Sequence, residues 1–204
     1  FIRKVKKYII EYFENDVSLT SHLRKISLRL FDREFSFYTD NGVFSKTSID
    51  YGSKLLLESL PLSSITGDIL DVGCGYGTLG IVLERVLHHP VTMVDVNRRA
   101  VHLTRRNIKE NHCELAEVLV SDGYEKIAKK YQTIITNPPI RAGKEVVYRI
   151  LIGAKDYLEK DGNLFFVIRK EQGAKSTISE LEKYYDITVL ERKKGFFIIW
   201  AKKG

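Results

Sequence analysis

Apolar and polar residues along this chain follow two periods, one typical of strands and one typical of helices. Short apolar runs recur, and they are DILDV (68–72), VTMVDV (91–96), EVLVS (117–121), TIIT (133–136) and NLFFVI (163–168). Each run has the composition of a strand buried on both faces, and a stretch with apolar residues at helical spacing follows it. This alternation predicts an α/β fold in which helices cover both faces of a doubly wound, mostly parallel sheet.

A helical pattern precedes the sheet. Apolar residues recur at helical spacing through residues 1–33, which are therefore expected to form a helical N-terminal extension of one or two amphipathic helices. A strand, EFSFYT (34–39), a turn at Asn41-Gly42 and a helix from about residue 50 to residue 60 are predicted to follow.

The C-terminal stretch ITVLERKKGFFIIWAKK (187–203) predicts two strands joined by a short turn. They would add an antiparallel hairpin to the edge of the sheet and bring it to seven strands, a Rossmann-like arrangement. No linker or repeat divides the sequence, so residues 1–204 are expected to form a single domain.

Composition narrows the classes of protein to consider. The chain has 204 residues, 44% of them hydrophobic, which is enough for a sizeable core, and its net charge of +7 favours a polyanionic partner such as nucleic acid. Its two cysteines form no CxxC pair and its five histidines no HExxH spacing, so we expect no metal and a reducing, cytoplasmic location. No apolar run approaches membrane-spanning length, so no membrane partner is expected.

The first candidate for chemistry is the glycine-rich turn DVGCGYG (71–77), between the first strand of the sheet and its first helix. Open α/β sheets bind ligands at this position, and Gly73 and Gly75 would let the backbone approach one closely. A dinucleotide fingerprint would need glycine or alanine at position 78, where Thr78 stands. The turn therefore indicates a different cofactor, although glycine also serves tight turns for steric reasons alone.

Acidic residues end the next two strands. Asp95 could accept both hydroxyls of a ribose or cap the following helix, and Asp122 could accept from an adenine amine or act as a cap. With Asp71 and the polar strand end at Asn137, they would form a row along one edge of the sheet. Structural need does not require such a row, which favours a binding site.

The corner Asn137-Pro138-Pro139 follows the fourth central strand. Proline has no N–H and restricts the residue before it, so this corner should be stiff and non-helical, with carbonyls and one amide side chain left to accept hydrogen bonds. A plain connection between strand and helix is the alternative.

DVGCGYG, VDVN and NPP, in this order, resemble the motifs of class I S-adenosylmethionine-dependent methyltransferases that modify exocyclic or amide nitrogens. GVFSKTSIDYGSKLLLE (42–58), NPPIRAGKEV and KEQGAKS (170–176) resemble the small-domain, RsmC-type family of ribosomal RNA guanine 2-amino methyltransferases. The resemblance implies a Rossmann-like methyltransferase fold, S-adenosylmethionine as cofactor, and ribosomal RNA or a ribosomal subunit as partner.

The resemblance also implies roles for single residues. The cofactor-binding residues would be Asp71, Gly73, Gly75, Asp95 and Asp122, with Asp50 and Gly52 packed near the methionine end, although Asp50 could equally start a helix. Asn137 and Pro138 would accept from the target amine, and Pro139 would keep the corner rigid. An aspartate at position 137 would retain an acceptor and is expected to preserve more activity than an alanine.

The residues after the corner are candidates for binding substrate. Many relatives carry an aromatic residue where this chain has Ile140, which would pack against the target base without π-stacking. Arg141 and Lys144 could hold phosphates of a flipped nucleotide or be ordinary solvated charges, and Gln172 and Lys175 follow the fifth strand at the same edge.

Together with these patterns, the resemblance implies a methyltransferase acting on a nucleic-acid amino group, foremost a guanine 2-amino group of small-subunit ribosomal RNA. Methylation of a glutamine side-chain amide or an adenine 6-amino group is the alternative chemistry. A catalytically idle RNA-binding module is the alternative from another class.

Overall fold

The computed structural model describes residues 20–204. The strands are β1 (Arg24–Leu30), β2 (Arg33–Thr39), β3 (Ile69–Val72), β4 (Val91–Asp95), β5 (Ala116–Val120), β6 (Tyr131–Thr136), β7 (Leu158–Arg169), β8 (Asp186–Lys193) and β9 (Phe196–Lys202). The α-helices are α1 (Tyr51–Ser59), α2 (Thr78–Leu87), α3 (Arg98–Glu110), α4 (Lys144–Tyr157) and α5 (Ala174–Leu181). Three short 3₁₀ turns cover Leu62–Ser64, Ile140–Ala142 and Lys170–Gln172.

Within the described residues, the main sheet has seven strands in the order β5-β4-β3-β6-β7-β9-β8. Strands β3 to β7 pair in parallel, and β9 runs antiparallel to both β7 and β8. The predicted α/β class and C-terminal hairpin are confirmed. The chain builds outward from β3 to β5 and then returns to place β6 on the other side of β3. Ligands bind at such a reversal of strand order, beyond the carboxyl ends of the strands.

Apolar side chains of the central strands sort to the two faces of the sheet. Ile69 belongs to a core with α1, α2 and the β1–β2 hairpin, whereas its neighbour Leu70 belongs to a core with α4 and α5. Successive strand residues point to opposite faces, so a strand that is apolar throughout can serve both cores. The doubly wound arrangement follows from that composition.

One predicted helix is wrong. Residues 1–19 lie outside the described part of the chain, but Arg24–Leu30, within the predicted helical extension, is strand β1 and pairs antiparallel with β2. Ile26, Leu28 and Leu30 alternate with polar residues, a period of two that the helical interpretation overlooked. Phe31 and Asp32 both have positive φ, +52° and +56°, as a tight hairpin turn requires.

A second difference concerns the residues after β5. The sequence predicts a helix after every central strand, yet the segment from residue 121 to residue 130 forms turns. Tyr124 from this segment is buried and its hydroxyl donates to the carbonyl of Ile150 in α4, 2.8 Å away. Aromatic packing onto α4 covers the sheet here in place of a helix.

Helix α3 holds the β1–β2 hairpin through two asparagines one turn apart. Asn107 accepts from the amide of Tyr38 at 2.7 Å and donates to its carbonyl at 3.0 Å, and Asn111 makes the same pair of contacts with Ser36 at 3.1 and 2.8 Å. The side-chain amides thereby take the place of a neighbouring strand along this edge of β2. The backbone groups of β2 are satisfied without a third strand.

Replacing Asn107 by alanine should lower the free energy of unfolding by about 2–4 kcal/mol, because the part-buried amide and carbonyl of Tyr38 and the buried carbonyl of Tyr76 lose their partner. Urea denaturation followed by circular dichroism measures this. His102→Ala, at an exposed position on the same helix, is the control and should change stability by no more than about 0.5 kcal/mol. Equal effects of the two substitutions would contradict the docking role.

Candidate functional site

The glycine-rich loop between β3 and α2 leaves part of its backbone open. Gly73 and Gly75 have φ values of +73° and +57°; a methyl group added at Gly75 would meet no atom within 4 Å, and one at Gly73 would meet only Pro139, at 4.0 Å. A side chain at Gly77 would instead come within 2.9 Å of Ile81. Gly77 therefore has a steric role, whereas Gly73 and Gly75 present backbone to space that a ligand can use.

Asp95 at the end of β4 supports this loop. One carboxylate oxygen accepts from the Gly75 amide and the other from the Asn97 amide, both at 2.8 Å. Asn97, not Asp95, caps α3, because its side chain accepts from the amides of Arg99 and Ala100. The capping alternative for Asp95 is thus excluded. Burial raises the pKa of the Asp95 carboxyl to about 6.

Asp71 is fully buried beneath the loop. One of its carboxylate oxygens accepts from the Gly80 amide at 3.0 Å, and the other has no hydrogen-bond partner in the described part of the chain. Burial, and secondarily the nearby Asp95 charge, raises the pKa of Asp71 to about 7, although the Gly80 bond opposes the shift. A buried acceptor without a donor is costly, and it fits a site completed by a cationic group or a water bound to one.

Asp122 has a partner that the sequence did not reveal. Arg149 of α4 donates to both of its carboxylate oxygens in a bidentate pair. No helix follows Asp122 for it to cap, and the turn is instead held by Ser121, whose hydroxyl accepts from the Lys126 amide at 3.1 Å. Any amine bound by Asp122 must share this carboxylate with Arg149.

The Asn137 side chain at the end of β6 is held in one orientation. Its amide nitrogen donates to Asp50 Oδ2 and to Ser53 Oγ, each at 2.9 Å. The Asp50 carboxylate can only accept, so the Asn137 nitrogen must face it and the Asn137 oxygen must face away. That oxygen has no hydrogen-bond partner within residues 20–204 and is an available acceptor.

The two prolines form a tight turn. The Pro138 carbonyl accepts from the Ile140 amide at 2.8 Å and the Pro139 carbonyl from the Ala142 amide at 2.9 Å. The expectation that these carbonyls are left unpaired is therefore wrong, although a carbonyl oxygen has a second lone pair. Pro139 leads directly into the 3₁₀ turn before α4, so the corner also serves as the connection between strand and helix.

Asp50 and Gly52 have structural roles beside the corner. Asp50 caps α1 by accepting from the Ser53 amide at 2.8 Å, through the same oxygen that binds Asn137. The helix-start interpretation is confirmed, and the Asn137 contact is added to it. A side chain at Gly52 would approach Phe196 to 2.9 Å, which explains glycine there by packing.

A cavity of about 150 Å³ lies beside the corner and brings together three of the predicted substrate residues. Its lining includes Ile140, Lys144, Gln172, Tyr148, Ser176 and Thr177. No motif or spacing pointed to Tyr148, whose ring centroid lies 4.9 Å from the Lys144 ammonium. Arg141 and Lys175 are exposed and lie outside this lining.

Residues 20–204 contain neither a candidate membrane span nor a candidate metal cluster. No helix in this part of the chain is both long and apolar enough to cross a membrane. No three His, Cys, Asp or Glu side chains of these residues are grouped so that they could hold a metal ion.

The raised pKa of Asp71 should appear in the stability of the ligand-free protein. Asp71 stays neutral in the folded state up to about pH 7 and ionises in the unfolded state near pH 3.8, so its contribution to stability is complete below pH 3.8 and is lost as pH rises through 7. From pH 5 to pH 8, the parent should lose about 2–3 kcal/mol more unfolding free energy than Asp71→Asn, because two pH units separate pH 5 from the folded pKa. Urea titrations at both pH values measure this difference. Parallel losses would show that Asp71 ionises normally.

Comparison with known proteins identifies the family. The methyltransferase small domain profile matches residues 34–200. An uncharacterized protein of Bacillus subtilis, YbxB, is 42% identical over 200 residues, covering 94% of this chain and 98% of that protein. Ribosomal RNA small subunit methyltransferase C of Aeromonas hydrophila is 39% identical over 143 residues, which cover 67% of this chain and 40% of that protein.

A solved structure gives the same result. The 16S rRNA N2 methyltransferase RsmC of T. thermophilus, in complex with AdoMet and guanosine, superposes with a TM-score of 0.81 at 27% identity. The match covers 91% of this chain and 52% of that one, so the chain spans about half the length of this relative. The predicted Rossmann-like methyltransferase fold is thereby confirmed, and the chain belongs to the methyltransferase small domain family.

Proposed function

We propose that this protein is an S-adenosylmethionine-dependent methyltransferase that acts on an exocyclic amino group, foremost the guanine 2-amino group of small-subunit ribosomal RNA. The cofactor, when bound, supplies an electrophilic methyl group on a sulfonium. The observation that carries the proposal is the fixed Asn137 amide, which offers an acceptor at the corner beside the cofactor loop. The RsmC structure is a complex with AdoMet and guanosine, which supports this choice of cofactor and of substrate base.

The residues around the loop fit this cofactor. Gly73 and Gly75 leave room for its methionine part, and the unpartnered oxygen of Asp71 suits its amino group, directly or through a water. Asp95 would accept the ribose hydroxyls with the lone pairs that Gly75 and Asn97 leave unused. Asp122 would accept from the adenine amine while it remains paired with Arg149.

At the corner, the protein would activate the amine by positioning it. The lone pair of a guanine 2-amino group is delocalised into the ring, and it becomes available only as the nitrogen turns pyramidal. The Asn137 oxygen and the second lone pair of the Pro138 carbonyl would accept hydrogen bonds from the two N–H groups. These hydrogen bonds would favour the pyramidal nitrogen. The amine becomes acidic only once its new bond forms, so no strong base is needed before attack.

The cavity beside Ile140 would hold the target base. Gln172 accepts from the Arg169 amide at 3.1 Å through its side-chain oxygen, which leaves its amide N–H groups as donors. Such donors suit the acceptor edge of guanine, O6 and N7. Tyr148 in the cavity wall would contribute the aromatic surface that Ile140 lacks, and Lys144 would meet a phosphate. Arg141, outside the lining, would contact the RNA backbone at the rim.

The substrate class is tested by transfer of labelled methyl to three substrates: deproteinised small-subunit ribosomal RNA, intact small subunits, and total protein. We expect label in RNA, as N2-methylguanine after nucleoside digestion. Asp95→Ala is the control: losing charge-assisted hydrogen bonds to two hydroxyls should weaken cofactor binding by about 2–3 kcal/mol in calorimetry and abolish labelling at low cofactor. Label in glutamine or in 6-methyladenine would replace the substrate, and cofactor binding without any transfer would favour an idle RNA-binding module.

The Asn137 mechanism is tested by exchanging the two interacting side chains. Asn137→Ala should slow single-turnover methyl transfer about 100- to 1000-fold at saturating cofactor, by analogy with loss of an oxyanion-hole donor. Asn137→Asp should be as slow, because the new carboxylate faces the Asp50 carboxylate. This reverses the expectation from sequence that aspartate outperforms alanine.

In the double variant Asp50→Asn/Asn137→Asp, the amide at position 50 can donate to the carboxylate at position 137, whose other oxygen still accepts. Since Asp50 makes both contacts through one oxygen, the asparagine must rotate so that its oxygen caps α1 while its nitrogen donates to position 137. We expect the double variant to react at least about 10-fold faster than Asn137→Asp, as a restored hydrogen bond to a charged group warrants. A parental rate in Asn137→Ala would show that the corner is only a turn, and no recovery in the double variant would remove Asp50 from the mechanism.

A further inference from the structure

The turn between β8 and β9 stands at the same sheet edge as the Asn137 corner. Arg169, at the carboxyl end of β7, pairs with Phe196, and Phe196 in turn pairs with Lys193. The turn between them, Lys194-Gly195, has φ values of +49° and +79°. Strands β6 and β7 are parallel, so their carboxyl ends lie at the same edge of the sheet. The β8–β9 turn, next to the end of β7, therefore lies at the edge where Asn137 follows β6.

Packing fixes the turn against the corner. The Lys170 amide donates to the Gly195 carbonyl at 2.7 Å, which joins the turn to the end of β7. The Lys194 ammonium lies 5.0 Å from the Tyr51 ring centroid, and Tyr51 packs on Phe196 with 5.3 Å between ring centroids. Tyr51 follows Asp50, the residue that holds Asn137. The turn is therefore in a defined position relative to the proposed target amine.

Four cations surround this turn, and we call them the tip patch: Lys170, Arg192, Lys193 and Lys194. All four are exposed, and none forms an ion pair with a carboxylate within residues 20–204. The neighbouring Arg169, by contrast, pairs with Glu171. Exposed cations that have no carboxylate partner favour binding of a polyanion.

The tip patch extends to the side of the sheet that carries the cavity. The guanidinium of Arg192 lies 5.0 Å from the Phe197 ring centroid, and Phe197 pairs across the ladder with Ile168, which lines the cavity. Lys170 begins the 3₁₀ turn that contains Gln172, another lining residue. A nucleic-acid strand that extends from the cavity toward the β8–β9 turn would contact the tip patch.

We propose that the tip patch binds phosphates of the RNA strand next to the nucleotide held in the cavity. This rests on the proposed function and adds the surface that carries the rest of the substrate. Phosphate contacts of this kind contribute affinity and register without reading sequence. The aromatic rings beneath Arg192 and Lys194 hold their charges at the surface instead of letting them fold back.

The test compares two charge-matched double variants. Lys193→Gln/Lys194→Gln removes two positive charges from the tip patch, and Arg105→Gln/Lys109→Gln removes two from exposed positions on α3, between β4 and β5. Affinity for a fluorescently labelled transcript of small-subunit ribosomal RNA is measured by anisotropy at four salt concentrations. Thermal unfolding midpoints within about 2 °C of the parent verify that both variants fold.

Log affinity falls as log salt rises. If the tip patch binds phosphates, this fall should be less steep in the tip variant, by about 1.4 in slope, or 0.7 for each lost contact. The α3 variant should keep the parental slope. An unchanged slope in the tip variant, or equal losses in both variants, would overturn the proposal. Because this measurement involves no methyl transfer, absence of labelled RNA in the transfer assay would refute the proposed function while leaving the binding result interpretable.

Discussion

The hydrogen bond between the Asp50 carboxylate and the Asn137 amide joins the start of helix α1 to the corner after β6. One oxygen of Asp50 starts helix α1 and also orients the side chain at the end of β6. Since that oxygen can only accept, it determines which end of the Asn137 amide faces the site. A helix cap thereby decides where the proposed acceptor points, and a shift of α1 would move that acceptor.

Beside the glycine-rich loop, two buried carboxylates reduce the stability of the ligand-free protein. Asp71 and Asp95 are held where burial raises their pKa values to about 7 and about 6, and one oxygen of Asp71 has no partner in residues 20–204. Both features weaken the ligand-free fold. A ligand with an amino group and two hydroxyls would satisfy these acceptors, so the same features that reduce stability favour binding.

Cationic residues around the site differ in their partners, which are a carboxylate in one case and aromatic rings in others. Arg149 is used within the fold to pair with Asp122, and Lys144 lies over the Tyr148 ring in the cavity wall. At the β8–β9 turn, Arg192 and Lys194 lie over aromatic rings and have no carboxylate partner in the described residues. The net charge of +7 therefore becomes informative only when its location is known.

The sequence by itself determined the features that depend on neighbours along the chain. Fully apolar strands were enough to predict the doubly wound sheet. The glycine-rich turn and the order of the motifs were enough to propose where a candidate site lies. Tertiary structure alone decided that turns and Tyr124 replace a helix after β5 and that Asn137 is oriented by Asp50. Asp50 and Asn137 lie 87 positions apart in the chain. Contacts at such separations leave no periodic signal, because the partner of a side chain is set by how the elements pack and not by the residues beside it.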